Sequence, residues 1–161
     1  MKNSSLAPAC VWRVCEFAAL TLEELQFIYM ARQQVFVVEQ ECAYLDVDGC
    51  DAAASHIAAW SPDERMPLAY ARLVAPGVKY TEPSIGRVLT TQGGRGLGLG
   101  QELLCRSIEH LQGLYPGQGI RISAQSYLEA FYAEAGFVAH GERYLEDGIP
   151  HTEMLLSAAT P

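Results

Sequence analysis

Seven consecutive residues, Arg95-Gly96-Leu97-Gly98-Leu99-Gly100-Gln101, constrain this chain more than any other stretch. Three glycines alternate with two leucines, directly after the strand-like run Ser84–Thr91 and directly before the helix-like run Leu103–Leu114. A residue without a side chain lets the backbone turn sharply and approach another molecule closely. A helix that opens in such a loop aims free N–H groups and the positive end of its dipole at whatever lies there. A phosphate or pyrophosphate is the usual occupant. The stretch therefore predicts a strand–loop–helix unit that grips a phosphorylated cofactor.

Spacing excludes two common phosphate loops. A Walker loop needs Lys and then Ser or Thr after its last glycine, whereas Gln101-Glu102 follows Gly100. The dinucleotide pattern G-x-G-x-x-G fails as well, because its sixth position falls on Leu99, Gln101 or Leu103 when counted from Gly94, Gly96 or Gly98. No long alternation of strands and helices precedes the loop, as a doubly wound fold requires. What remains is an arginine followed by glycines at its third and fifth successors. A glycine-rich turn with no ligand is the plainer alternative.

At 161 residues the chain is expected to form one domain over 1–161, with residues 1–10 a flexible N-terminal segment. A formal charge of −8 with no basic block argues against a nucleic-acid partner and suits a cationic acceptor such as an amine. Five cysteines, an odd number with no C-x-x-C pair, point to reduced thiols in a cytoplasmic protein. Pro8, Arg13 and Glu16 interrupt any signal-peptide core, and no run is long enough to span a bilayer. The acidic run Asp46-x-Asp48-Gly49-x-Asp51 is not a calcium loop, because the required sixth-position glycine is Asp51.

Periodicity lays out the elements. Val11–Ala18 alternates as a strand. Thr21-Leu22-Glu23-Glu24 is a capping box, and the helix after it carries Leu22, Leu25, Ile28 and Val35 at helical spacing. Glu41–Ala54 reads as a loop with a short helical turn. Ser55–Trp60, Leu68–Val74 and Ser84–Thr91 read as strands, Leu97–Leu114 as a long amphipathic helix ended by Pro116-Gly117, and Ile120–Ala124 as another strand. A helix over Tyr127–Ala135 and strands over Phe137–Leu145 and His151–Ser157 complete the chain. The order predicts a mixed sheet with helices, an α/β or α+β fold.

The arginine–glycine pattern between strand and helix resembles the acetyl-CoA loop of the GNAT acetyltransferase superfamily. Downstream, Phe131-Tyr132-Ala133-Glu134-Ala135-Gly136-Phe137 is similar to that family's Y-x-x-x-G-F. Val35–Gln40, Tyr44–Gly49, Tyr70-Ala71-Arg72, Ile85–Val88 and Glu146–His151 together resemble its ElaA-like branch, so the likeness runs from about Trp12 to Leu156. It implies a mostly antiparallel central sheet whose central strands splay apart, flanked by about four helices. It implies acetyl-CoA as co-substrate, its pantetheine arm paired with the open edge of Ile85–Leu89 near Val88, Leu89 and Thr90. The pyrophosphate would rest on the amides of Gly96, Gly98, Gly100 and Gln101, with Arg95 adding a charge-assisted contact. Gln125 stands where many relatives carry Asn, and a backbone N–H near Leu89 is the implied oxyanion donor.

By the same resemblance an amine attacks the thioester directly, and Tyr132 protonates the leaving sulfur. The alternative role for Tyr132 is a core aromatic beside Phe131 and Phe137. Candidates for the base are Glu39, Asp48, His56, Asp147 and His151; Glu39 is preferred because it lies where the first helix leads into the acceptor-side loop, and a water chain could replace any of them. Arg32, Arg72 and Arg87 line the acceptor pocket, or pair with Asp46, Asp48 or Asp51, or sit on solvent-facing sheet positions. The acceptor is a small-molecule or peptide amine, and a homodimer is common for such folds. Two rival functions stand beside this one: a non-catalytic CoA or acyl-CoA sensor, and a nucleotide-binding protein unrelated to CoA.

Overall fold

The computed structural model describes residues 9–159. The first eight residues of the segment expected to be flexible therefore lie outside the described residues. Strand β1 covers Val11–Glu16 and ends in a tight helical turn, Phe17–Ala19, so the strand stops two residues short of the Ala18 expected. Its alternation holds. The Arg106 guanidinium sits 5.1 Å over the Trp12 ring on one face, and Arg13 pairs with Glu24 on the other.

Helix α1, Leu22–Arg32, starts at the capping box: Thr21 N–H donates to Glu24 Oε2 at 2.8 Å and Glu24 N–H to Thr21 Oγ1 at 3.0 Å. It runs on without a break into a wider π-helical segment, Gln33–Glu39. Such insertions are frequent at functional sites, and this one ends at the loop that leads to β2. Strands β2 (Ser55–Trp60), β3 (Ala69–Val74) and β4 (Ser84–Thr90) follow, then α2 (Leu99–Leu114) and β5 (Ile120–Gln125). The short helix α3 covers Glu129–Glu134. The strand expected over Phe137–Leu145 divides into β6 (Val138–Ala139) and β7 (Tyr144–Glu146), with Gly141 at a positive φ between them, and β8 is Ile149–Leu156.

All eight strands share one sheet in the order β1-β2-β3-β4-β5-β8-β6, with β7 also on β8. Every pairing is antiparallel except β4 with β5. The alternating side chains of β2 and β3 build two cores. Ala58 and Tyr70 face α1 and its continuation with Ile28, Ala31, Val35 and Phe36. Ile57, Ala59, Ala71 and Leu73 face α2 with Leu99, Leu103, Leu104 and Leu111. Each fully buried Leu, Ile, Val or Phe among them contributes about 1.5–3 kcal/mol relative to exposure.

Two irregularities shape the centre of the sheet. Between the rungs Tyr70↔Leu89 and Arg72↔Gly86, β4 carries one residue more than β3, and Arg87 takes a φ of 52° in that bulge. On its other side β4 meets β5 at one rung, Ser84↔Arg121, and the strands then part. The edge of β4 from Ile85 onward therefore faces a gap rather than a neighbour.

Candidate active site

The gap opens into a cleft of about 490 Å3. Val88, Leu89 and Thr90 line it from β4, Gln125 from the end of β5, Tyr132 from α3, and Glu39 from the end of the π segment. A second, shallower cleft of about 240 Å3 lies at the start of α2, lined by Gly96, Gly98, Gly100, Gln101 and Phe131. Thr90 and Arg95 border both. The structure thus gathers every cofactor-side residue expected from the sequence around two adjoining hollows.

The glycine loop has the local geometry its composition demands. Gly96 and Gly98 have φ values of 76° and 75°, and a Cβ built on either would meet nothing within 4 Å. Bare main chain therefore faces open space. Helix α2 begins at Leu99, two residues later than expected, and no side chain caps it at Gly98. Unspent N–H groups at a helix start are an anion site. Gly94 is different: a Cβ there would lie 2.2 Å from the Leu68 carbonyl oxygen, so its glycine serves packing.

Tyr132 is 6% exposed and packs edge-on against Phe131 and Phe137, as its core role required. It also borders the cleft. Burial, and secondarily Tyr127, pushes its pKa well above the ordinary phenol value. The group stays protonated near neutrality and is able to donate.

The flank between the π segment and β2 is held by charge. Arg32, fully buried, donates from Nε to Asp46 at 2.7 Å and from Nη1 to Asp51 at 2.6 Å. Arg72 grips Asp48 through both terminal nitrogens, at 2.7 and 2.9 Å, and reaches Asp51 at 3.2 Å. Arg87 donates to Asp46 at 2.8 Å. The three arginines pair with the three aspartates, and only Arg87 also borders the cleft. Hydrogen bonds from Arg72 hold the Asp48 carboxyl far below its usual range; Asp51 is lowered too, its burial outweighed by Arg32 and Arg72.

This network separates the base candidates. Asp48 is committed to arginines. His56 is buried with both nitrogens engaged: Nε2 donates to the Asp51 carbonyl at 2.9 Å and Nδ1 accepts from the Tyr70 hydroxyl at 2.7 Å. Burial lowers its pKa and favours the neutral ring. Glu39, Asp147 and His151 border the cleft. The Glu39 carboxylate is ion-paired with Arg95, so the preferred base and the loop arginine meet. Three contacts tie the end of the π segment across the cleft: Glu39 to Arg95, Gln40 to Gln125 at 3.1 Å, and the Cys42 thiol to the Asp147 carbonyl at 3.5 Å.

Sequence reasoning missed the wall formed by Ser123, Tyr144 and Glu146 beside His151. A local signal was present. Asp147-Gly148 is a two-residue hairpin turn with both φ values positive, 49° and 76°. It fixes Tyr144 opposite His151 and Glu146 opposite Ile149. The period of two then sets Tyr144 and Glu146 on one face.

The sequence model of the family described as acetyltransferase (GNAT) domain matches residues 32–158. A UPF0039 protein of Synechocystis sp. is 41% identical over 144 residues, spanning 89% of this chain and 93% of that protein. Protein ElaA of Escherichia coli is 36% identical over 145 residues, 89% of this chain and 94% of its own. Among solved structures, an acyl-CoA N-acyltransferase from Pseudomonas aeruginosa superposes with a TM-score of 0.87 at 40% identity, covering 92% of this chain and 100% of that one.

Proposed function

The chain belongs to the GNAT acetyltransferase domain family, and on that premise we propose that it transfers an acetyl group from acetyl-CoA directly to an amine acceptor. The observation that carries this reading is the junction of the two hollows at Thr90 and Arg95. An uncapped helix start for a diphosphate adjoins an unpaired strand edge for an extended amide-bearing arm. Coenzyme A thioesters combine those two chemistries, and they supply an activated acyl group when bound. The relative from P. aeruginosa, described as an acyl-CoA N-acyltransferase, supports the same class.

In this reading the amides of Gly96, Gly98, Gly100 and Gln101 hold the pyrophosphate, and Arg95 leaves Glu39 to add its charge there. The open edge of β4 aligns the arm as an added strand, and the main chain near Leu89 at the bulge offers the N–H that steadies negative charge on the thioester oxygen. Tyr132 gives its proton to the departing sulfur. Gln125, tied to Gln40, closes the acceptor side of the arm.

The test is a thermal-shift series with CoA, acetyl-CoA, ATP and NAD, followed by thiol release with an amine acceptor. Stabilisation by CoA and acetyl-CoA with none by ATP or NAD is expected; the reverse pattern ends the reading. Tyr132→Phe is expected to cut turnover about 100-fold while acetyl-CoA affinity stays within about twofold. An unchanged rate removes Tyr132 from the chemistry. Stabilisation without turnover on any amine would instead describe a sensor.

A further inference from the structure

We propose that His151 is the base of this transfer and that Glu146 positions it and receives the amine acceptor as its ammonium. The proposal rests on the acyl-CoA transferase reading above.

The tautomer follows from one contact. His151 Nδ1 lies 2.7 Å from the Ile149 carbonyl oxygen. A carbonyl only accepts, so Nδ1 carries the proton and the neutral ring keeps its lone pair on Nε2. That nitrogen is 3.6 Å from Glu146 Oε2 and accepts no hydrogen bond from the described residues. Two acceptors thus face each other with no donor between them. An ammonium, with three N–H groups, satisfies both.

The pair is built rather than incidental. The His151 ring stacks on Tyr144, 6.0 Å between centroids and 29° between planes. Ser123 Oγ donates to Glu146 Oε2 at 3.1 Å and shares a hydrogen bond with the Tyr144 hydroxyl. His151 is nearly buried, whereas the Glu146 side chain is 45% exposed, so an acceptor meets the carboxylate from solvent and the imidazole inside. The charged and titratable groups around the cleft are Glu146 on β7, Asp147 in the turn, Tyr127 beyond β5, Tyr132 on α3, Glu39, Cys42 and Tyr44 across the gap, and Lys79, Arg87 and Arg95, with Tyr144 stacked on His151 behind them. Arg87 and Arg95 are paired to aspartates and to Glu39. Against Lys79 on the same cleft stand the carboxylates of Glu146 and Asp147, joined by Glu39 once Arg95 turns to the cofactor.

The step balances. Nε2 takes one proton from the ammonium, and the freed nitrogen lone pair forms the C–N bond. The C–S bond breaks with its electrons going to sulfur, which takes the Tyr132 proton. The surplus proton on the new amide nitrogen restores the phenol. His151 passes its proton to water, so one proton is released per turnover.

The experiment uses the full chain, acetyl-CoA, and butylamine, tyramine and a lysine-containing peptide as acceptors. Thiol release gives the rate, and calorimetry gives acetyl-CoA affinity. His151→Gln is expected to lower kcat by at least about 100-fold with acetyl-CoA affinity within about twofold. Glu146→Gln removes the carboxylate that meets the ammonium, so the KM for amine is expected to rise while kcat falls less than in His151→Gln. A His151→Gln variant that retains most of its rate, or that no longer binds acetyl-CoA, overturns the catalytic role. An unchanged KM for amine in Glu146→Gln overturns the role given to Glu146. A native chain that binds acetyl-CoA but acetylates none of these amines overturns base and acceptor class together, leaving the cofactor site standing. If acetyl-CoA does not bind at all, the transferase reading fails first and this proposal with it.

Discussion

On one flank of the cleft, Gly96 and Gly98 offer bare main chain with nothing within 4 Å of where a side chain would begin. On the other flank, the loop between the π segment and β2 is fastened by Arg32, Arg72 and Arg87 to Asp46, Asp48 and Asp51. The first flank is suited to gripping a ligand with peptide nitrogens and contributes little to folding. The second is held by long side chains whose charges are already spent on each other. Burying them is costly unless every partner stays in place. The molecule therefore separates binding from architecture across a single gap.

The largest effect that should expose this separation is Arg32→Ala. It takes one of two arginines from each of the buried carboxylates of Asp46 and Asp51, leaving Arg87 and Arg72, and is expected to cost up to about 3–5 kcal/mol in urea unfolding near pH 7. A loss below about 1 kcal/mol would mean that the network does not hold the acceptor flank. Gly98→Trp tests the opposite flank. A side chain at φ 75° costs about 1–2 kcal/mol of backbone strain, while the thermal response to acetyl-CoA should vanish. Normal binding by that variant would break the assignment of the loop.

Acid gives the smallest and most graded effect. The carboxyls of Asp48 and Asp51 have folded pKa values below those of the unfolded chain. Their contribution is complete above the ordinary carboxylate value of about 3.9 and is lost as pH falls through the lowered folded values. Stability measured from pH 5 downward should decline less steeply in Arg72→Met than in the native chain, because that variant no longer depresses these groups. Solvent around the exposed Asp48 keeps its share modest. Identical slopes would show that Arg72 does not set the acid limit.

The same contrast explains what could be read from the chain. The glycine flank was legible because seven contiguous residues contain all its determinants. The arginine–aspartate flank is assembled from partners 14 to 41 residues apart, and no local pattern separates a paired arginine from a solvent-facing one. The bulge in β4 was hidden because Gly86-Arg87-Val88 has the composition of an ordinary strand. The Asp147-Gly148 hairpin was local and strong, yet reading Phe137–Leu145 as one strand concealed it. With the hairpin missed, the register that sets Tyr144 and Glu146 beside His151 was missed too.

The solitary rung between Ser84 and Arg121 gives the sheet a spine with one stitch. Past it, two half-fabrics hang side by side, each raw along its inner margin. A guest laid along that seam sews the halves together, so occupancy and endurance become one quantity. The supply of thioester in its surroundings would then govern how long each copy of the chain resists proteolysis.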